Sequence, residues 1–336
     1  MKYSMSKKAL ITGITGQDGA YLAEILLDRG YEVHGLIRRI TSDDSYLNRT
    51  SRINHIITKI QLHPASIENY PSVFNAILKI IPGEIYHLAA QSFVPESFRD
   101  EFSTLDININ GTHNIINAVK EIVPESRFYF AASSEMFGNT QQTPQTETTP
   151  FYPRNPYGIS KSAGYDIIRY YRESYNLFCC SGIAFNHESP RRGDEFITRK
   201  ITSAVARIKS GKACMLKIGN LDAKRDWGFA GDYVEAMWLM LQQDNPEDYV
   251  LSTGEAHSIR EFVETAFEYV GLNWKDYVVI DPEFVRPAEV DLLLGDSSKA
   301  RNKLKWQPKV KFAELVRMMV DYDVEILSEN YNNDYN

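Results

Sequence analysis

The feature that most constrains this chain is a glycine-rich turn close to its start. A short apolar run, Lys8–Thr12, is followed at once by Gly13-Ile14-Thr15-Gly16-Gln17-Asp18-Gly19. Residues 20–29 then carry apolar side chains at helical spacing and stop at Gly30. Glycines at the first, fourth and seventh positions permit a tight turn, close approach of backbone to a pyrophosphate, and packing of helix on strand. The helix N-terminus directs unsatisfied N–H groups toward phosphate. Gly13, Thr15, Gly16, Gln17, Asp18 and Gly19 are therefore candidate dinucleotide-binding residues.

Glu32–Ile37 reads as the second strand, and it ends in Arg38-Arg39 rather than in Asp or Glu. A carboxylate there would hold a ribose 2′-hydroxyl, whereas guanidinium forks pair with a 2′-phosphate. Arg38 and Arg39 thus point to NADP, although two solvated arginines would look the same in sequence. Further β-type runs at 60–63, 84–88, 127–132 and 178–185 are separated by helix-length stretches such as 102–122 and 157–175. This alternation predicts an α/β fold, a Rossmann-type doubly wound parallel sheet with helices on both faces. The short all-apolar strands suit a sheet buried on both sides. After about residue 186 the rhythm breaks into Pro- and Arg-bearing segments. We therefore expect an NADP-binding domain over 1–186, to which 223–247 returns, and a smaller, interleaved C-terminal substrate-binding lobe over 187–330.

Charge and cysteine usage narrow the partners. The formal net charge is −7, without a basic stripe, which argues against nucleic acid. No apolar run is long enough for a signal-peptide core or a membrane span. Cys179 and Cys180 are adjacent in an apolar run, where side chains point to opposite faces of a strand, so core packing is expected rather than a disulfide or a metal site. A reducing compartment follows, hence cytoplasm.

Tyr157 and Lys161 stand four residues apart, on one face if the segment is helical. A cation beside a phenol favours the phenolate, which would make Tyr157 a base for a sugar hydroxyl. Upstream, the apolar run 128–132 delivers Ser133-Ser134-Glu135 at the strand end, where ligands bind in open α/β sheets. Ser133, Glu135, Tyr157 and Lys161 are the candidate catalytic residues. A helix cap or a solvated loop is the alternative reading of 133–135.

Taken together, the glycine turn, the strand-end serine and the Tyr157/Lys161 pair resemble the extended short-chain dehydrogenase/reductase superfamily. Longer stretches are similar to the GDP-mannose 4,6-dehydratases: 11–19, 31–39, 147–158, 185–193, 198–201, 219–228, 232–241 and 286–291. The segments 186–193 and 219–228 carry the resemblance most specifically. It implies that Ser133 stands in the place of a catalytic Thr, with Glu135 as base and Tyr157 and Lys161 completing the set. His187 and Arg192 match cofactor positions, as do Leu88, Ala89, Ala90 and Ser92. Asn186, Lys200, Arg225, Arg286 and Glu289 match positions lining a GDP-sugar pocket, which Ser92 also adjoins. In the adenine region Ser66, beside Ile67, replaces an Asp, and Ser103 replaces a cofactor-side Tyr. The segment 91–102 departs from the family pattern near the sugar end.

The activity so implied is a hydro-lyase that converts a GDP-manno-configured sugar, GDP-mannose first, to its 4-keto-6-deoxy product. NADP ends the cycle as it began. Arg191, Arg225 and Arg286 are candidate diphosphate clamps. A GDP-manno-heptose dehydratase, a GDP-sugar epimerase or reductase, and a non-enzymatic NADP-binding sensor stay open as alternatives. Glu135 speaks for a dehydratase over an epimerase or a reductase, because neither of those eliminates water. The resemblance also implies a homodimer or homotetramer.

Overall fold

The computed structural model describes residues 7–38, 49–284 and 292–333, with side chains through 328. Arg39, Arg286 and Glu289 lie outside the described residues. The chain opens with β1 (Lys8–Thr12), α1 (Gln17–Asp28), β2 (Glu32–Ile37) and β3 (Gln61–Pro64). It continues through α2 (Tyr70–Ile80), β4 (Glu84–His87), α3 (Gly111–Ile122), β5 (Arg127–Ser133), α4 (Pro156–Tyr175) and β6 (Cys179–Ala184). The second half holds β7 (Asn186–Glu188), α5 (Ile197–Lys209), β8 (Leu216–Ile218), β9 (Lys224–Arg225) and β10 (Trp227–Phe229). Then come α6 (Ala230–Leu241), β11 (Tyr249–Leu251), α7 (Ile259–Tyr269), α8 (Ser298–Lys303) and α9 (Phe312–Asn333).

The main sheet has seven strands in the order β11-β6-β5-β4-β1-β2-β3. Each of its pairings is parallel. Alternation along each strand sends successive side chains to opposite faces, and both faces are buried except at the edge strand β3. Leu10, Phe128, Phe130 and Cys179 pack with α2, α3 and α4. Ala9, Ile11, Tyr129 and Cys180 pack with α1, α6 and α8. The two cysteines thus do enter opposite cores, as the sequence predicts. Each fully buried Phe or Leu contributes roughly 1.5–3 kcal/mol over leaving it in water. A third apolar cluster joins α5, β8, α7 and α9 away from the sheet.

Sequence and structure part company in the expected helix over 102–122. It is divided into Glu101–Leu105, a π turn at Asp106–Asn110, and α3. The Asn108 side chain explains the extra residue in that turn. Its Oδ1 accepts from the Gln91 amide at 2.8 Å, and its Nδ2 donates to the Gln91 carbonyl at 3.0 Å. No described helix is long and apolar enough to cross a membrane.

Candidate functional site

The crevice opens where the chain leaves β1 and β4, at the reversal of strand order. Gly13 adopts φ +75°, and the Gly16 amide donates back to its carbonyl at 2.9 Å. A Cβ on Gly13 would sit 2.9 Å from the Ala89 amide nitrogen, so the turn can lie against β4 only as glycine. One on Gly19 would collide with the Gly13 carbonyl and Ile14. Gly16 caps α1 without any side-chain bond to its first N–H groups, which stay available to an anion.

A cleft of about 510 Å³ runs along this turn. Gly13, Thr15, Gly16, Gln17, Asp18 and Gly19 line it, with Leu88, Ala89, Ala90 and Ser92 opposite and Arg38, Ile67 and Arg192 at its ends. Ser66 does not line it. The Ser66 hydroxyl turns away to donate to Glu68 at 2.9 Å, and Ala65 and Ile67 face the cleft instead. Ser103 is also turned out, exposed in its short helix. Sequence reasoning missed Arg49 and Arg52, which add cations to the wall. They lie in a polar stretch whose only signal is charge.

His187 stands behind the wall. Its Nε2 meets Asp18 Oδ2 at 2.8 Å and its Nδ1 donates to the Phe185 carbonyl at 2.7 Å. Burial would depress the imidazole, but the Asp18 carboxylate outweighs it and holds the pKa above its ordinary value. Burial would raise Asp18, and the charge and hydrogen bond of His187 reverse that as well. Gln17 completes the frame by donating to the His187 carbonyl at 3.0 Å.

The four candidate catalytic side chains meet beyond the end of β5. Ser133 closes the strand, and its hydroxyl accepts from the Glu135 amide at 3.3 Å. Glu135 Oε2 accepts from Asn155 Nδ2 at 2.8 Å. The Asn155 Oδ1 accepts from the Gly158 amide at 2.7 Å, capping α4 one residue ahead of Pro156. A Cβ on Gly158 would come within 2.6 Å of the Glu135 carbonyl, so glycine lets the helix approach the strand end.

On that helix Tyr157 and Lys161 share a face, with the ammonium 5.8 Å from the Tyr157 ring centre. The spacing suggests a cation that lowers the phenol, and here the structure corrects the sequence. Burial pushes Tyr157 up to about 12, and the neighbouring Ser133 hydroxyl only partly offsets it. Lys161 is turned to the Ala131 carbonyl at 2.7 Å and is itself depressed by burial to about 8. Desolvation dominates both groups.

The expected substrate residues are less gathered. Asn186 lies on β7, its buried Oδ1 without a hydrogen-bond partner. Lys200 on α5 sits 3.4 Å over the Phe284 ring. Arg225 is buried on β9 and donates to the Lys224 carbonyl at 2.8 Å. Arg191 is tied into the protein, paired with Glu24 at 2.6 Å and stacked 4.1 Å over Tyr21.

Comparison with known proteins bears on these features. The family model described as GDP-mannose 4,6 dehydratase matches residues 10–319. GDP-mannose 4,6 dehydratase 2 of Arabidopsis thaliana is 54% identical over 332 residues, covering 95% of this chain and 87% of that protein. The Homo sapiens GDP-mannose 4,6 dehydratase is 49% identical, covering 96% and 93%. Among solved structures, the UDP-glucose 4-epimerase of Thermotoga maritima superposes with a TM-score of 0.84 at 23% identity, covering 95% of this chain and 99% of that one. That likeness speaks for the fold alone.

Proposed function

The chain belongs to the GDP-mannose 4,6-dehydratase family, and on that footing we propose that the cleft and the Ser133–Lys161 cluster act as one active site. The protein dehydrates GDP-mannose. The product is the GDP-4-keto-6-deoxy sugar, reached by oxidation at C4, loss of water across C5 and C6, and reduction at C6. The observation that carries this reading is Glu135, a carboxylate held by Asn155 beside the Ser133–Tyr157 pair. An epimerase or a reductase has no use for a base there.

The cleft suits a nicotinamide dinucleotide, because the glycine turn and the bare N-terminus of α1 make a phosphate cradle. Arg38, with Arg49 and Arg52 nearby, favours the 2′-phosphate of NADP. When bound, the dinucleotide would accept a hydride from C4, return one at C6, and while oxidised add a positive charge beside Tyr157. That charge opposes the burial that holds the phenol up.

The side chains then divide the proton work. Tyr157 takes the C4 hydroxyl proton, with Ser133 sharing its hydrogen bond and Lys161 supporting the developing phenolate. The C4 ketone acidifies C5–H. Glu135 removes that proton and delivers it to the departing C6 hydroxyl, so water leaves as a neutral molecule. Asn186, Lys200 and Arg225 are the proposed contacts for the GDP-sugar, with Arg286 and Glu289 alongside them.

Incubating the purified protein with GDP-mannose and GDP-manno-heptose, without added reductant, tests the reading by mass spectrometry. The expected result is a product lighter by one water, with the higher kcat/KM for GDP-mannose. Turnover only of a UDP- or dTDP-sugar would overturn it.

A further inference from the structure

β4 ends in His87, which is 1% exposed and bonded at both ring nitrogens. The directions of those bonds follow from the neighbours. Thr12 Oγ1 accepts from the amides of Leu88 and Ala89, each at 3.1 Å. With both lone pairs engaged, the Thr12 hydroxyl gives its one proton to His87 Nδ1, 2.8 Å away. Nδ1 is then an acceptor, and a neutral ring must carry its proton on Nε2. That nitrogen donates to Thr112 Oγ1 at 3.1 Å, and Thr112 passes its own proton to the Asn108 carbonyl at 2.6 Å. The chain runs one way from end to end.

Both ends matter to the cleft. Leu88 and Ala89 line it, and so does Gln91, whose amide and carbonyl are held by the Asn108 side chain. Asn108 Nδ2 also reaches Ser160 Oγ at 2.9 Å, and Ser160 donates to the Tyr157 carbonyl at 2.7 Å. We propose that His87 is a positioning residue which, as its Nε2–H tautomer, locks the cleft wall at 88–91 to the π turn and so to the helix bearing Tyr157 and Lys161. Burial, then the Lys161 ammonium, depress the imidazole to about 3, which keeps the ring neutral. A protonated ring would set two donors against each other at Thr12 and cost the Ala89 amide its acceptor, while Leu88 keeps the Thr12 carbonyl at 3.2 Å.

This inference rests on the cleft being the dinucleotide site, so the test begins with the unmodified enzyme. Wild type that binds neither NADP(H) nor NAD(H) would sink that reading, and this inference with it. Given binding, Thr12→Val and Thr112→Val each weaken NADPH roughly tenfold, while Ser at either position restores it. The double Val variant is no weaker than the worse single one, because both cut one chain. KM for GDP-mannose stays unchanged and each variant melts close to wild type, which a general loss of folding would not allow. Nitrogen-15 NMR of wild type shows the Nε2–H tautomer at His87, a result that does not depend on any variant folding. A Thr112→Val enzyme that binds NADPH like wild type, or an Nδ1–H tautomer, would overturn the proposal.

Discussion

Asn155 holds Glu135 and caps α4 with the same side chain, its Nδ2 2.8 Å from the Glu135 carboxylate and its Oδ1 2.7 Å from the Gly158 amide. The aim of the proposed base and the start of the Tyr157 helix are therefore one piece of structure. Asn155→Ser keeps a capping oxygen but is too short for Glu135. That variant should melt close to wild type while kcat falls roughly tenfold, the scale of a charge-assisted bond. Asn155→Ala should lose a further ~1 kcal/mol of stability with the cap. Melting curves beside kcat separate the two effects, and a Ser variant with full kcat would remove Asn155 from the site.

Arg38 at the end of β2 is 54% exposed and paired with Glu68 at 3.1 Å. Arg38→Ala should weaken NADPH about tenfold, the lower end for a charge-assisted bond in a solvated place, and NADH much less. Glu68→Gln frees the guanidinium and should tighten NADPH. Titrations of both cofactors check this. Equal losses for NADPH and NADH would show that Arg38 does not read the 2′-phosphate.

Lys161 carries a proton in a desolvated place, with its pKa near 8 against 10.5 when exposed. Between those values the unfolded chain binds more protons, so stability rises with pH there. Below about pH 8 the whole cost is present. Lys161→Met removes it and should stabilise the protein by about 1–2 kcal/mol at pH 7, after allowing for the orphaned Ala131 carbonyl. The gain should shrink as pH rises from about 8 and be gone above 10.5. Urea titrations across pH check this, and Met should abolish turnover.

If the cleft holds the dinucleotide as proposed, the His187–Asp18 contact should make its affinity depend on pH. Asp18 lines the cleft, and an unpaired carboxylate there would repel phosphate. Because the folded-state pKa of His187 is raised, the imidazolium persists above its ordinary range and is lost as pH climbs through the raised value. NADPH should bind best at mildly acidic pH and weaken on the alkaline side. His187→Gln should bind weakly throughout, with a flat profile between pH 6 and 9. A wild-type profile equally flat would contradict the role given to the pair.

Much of this was legible in the chain. Lys8–Thr12 and Glu32–Ile37 are strands with the bounds read from the sequence, because short, mainly apolar runs closed by glycine or arginine have few other fates. The glycine turn was legible for the same reason, since only Gly fits against Ala89. The π turn was not, because apolar spacing cannot register one extra residue demanded by the Asn108 side chain. Asn155 was not singled out in the sequence, and its cap emerges only in the structure. Its second bond, to Glu135, exists only after β5 and α4 have packed. The high pKa of Tyr157 was likewise hidden, since spacing shows the nearby cation and not the burial that outweighs it.

The central claim is that Glu135 is the base that takes the C5 proton. Glu135→Gln keeps the shape and the Asn155 neighbour while removing the basic oxygen, and Ser133, Tyr157 and Lys161 still permit oxidation at C4. Positioned bases contribute about 10²–10⁴-fold, and dehydration of GDP-mannose should fall by that order. Deuterium from solvent should no longer enter C5 of recovered sugar, while absorbance of reduced nicotinamide should build up on the enzyme. Tyr157→Phe should show no such absorbance. The decisive measurement is single-turnover absorbance with product analysis for Glu135→Gln and GDP-mannose. The account expects reduced nicotinamide without the 6-deoxy product, and dehydration at near wild-type rate would contradict it.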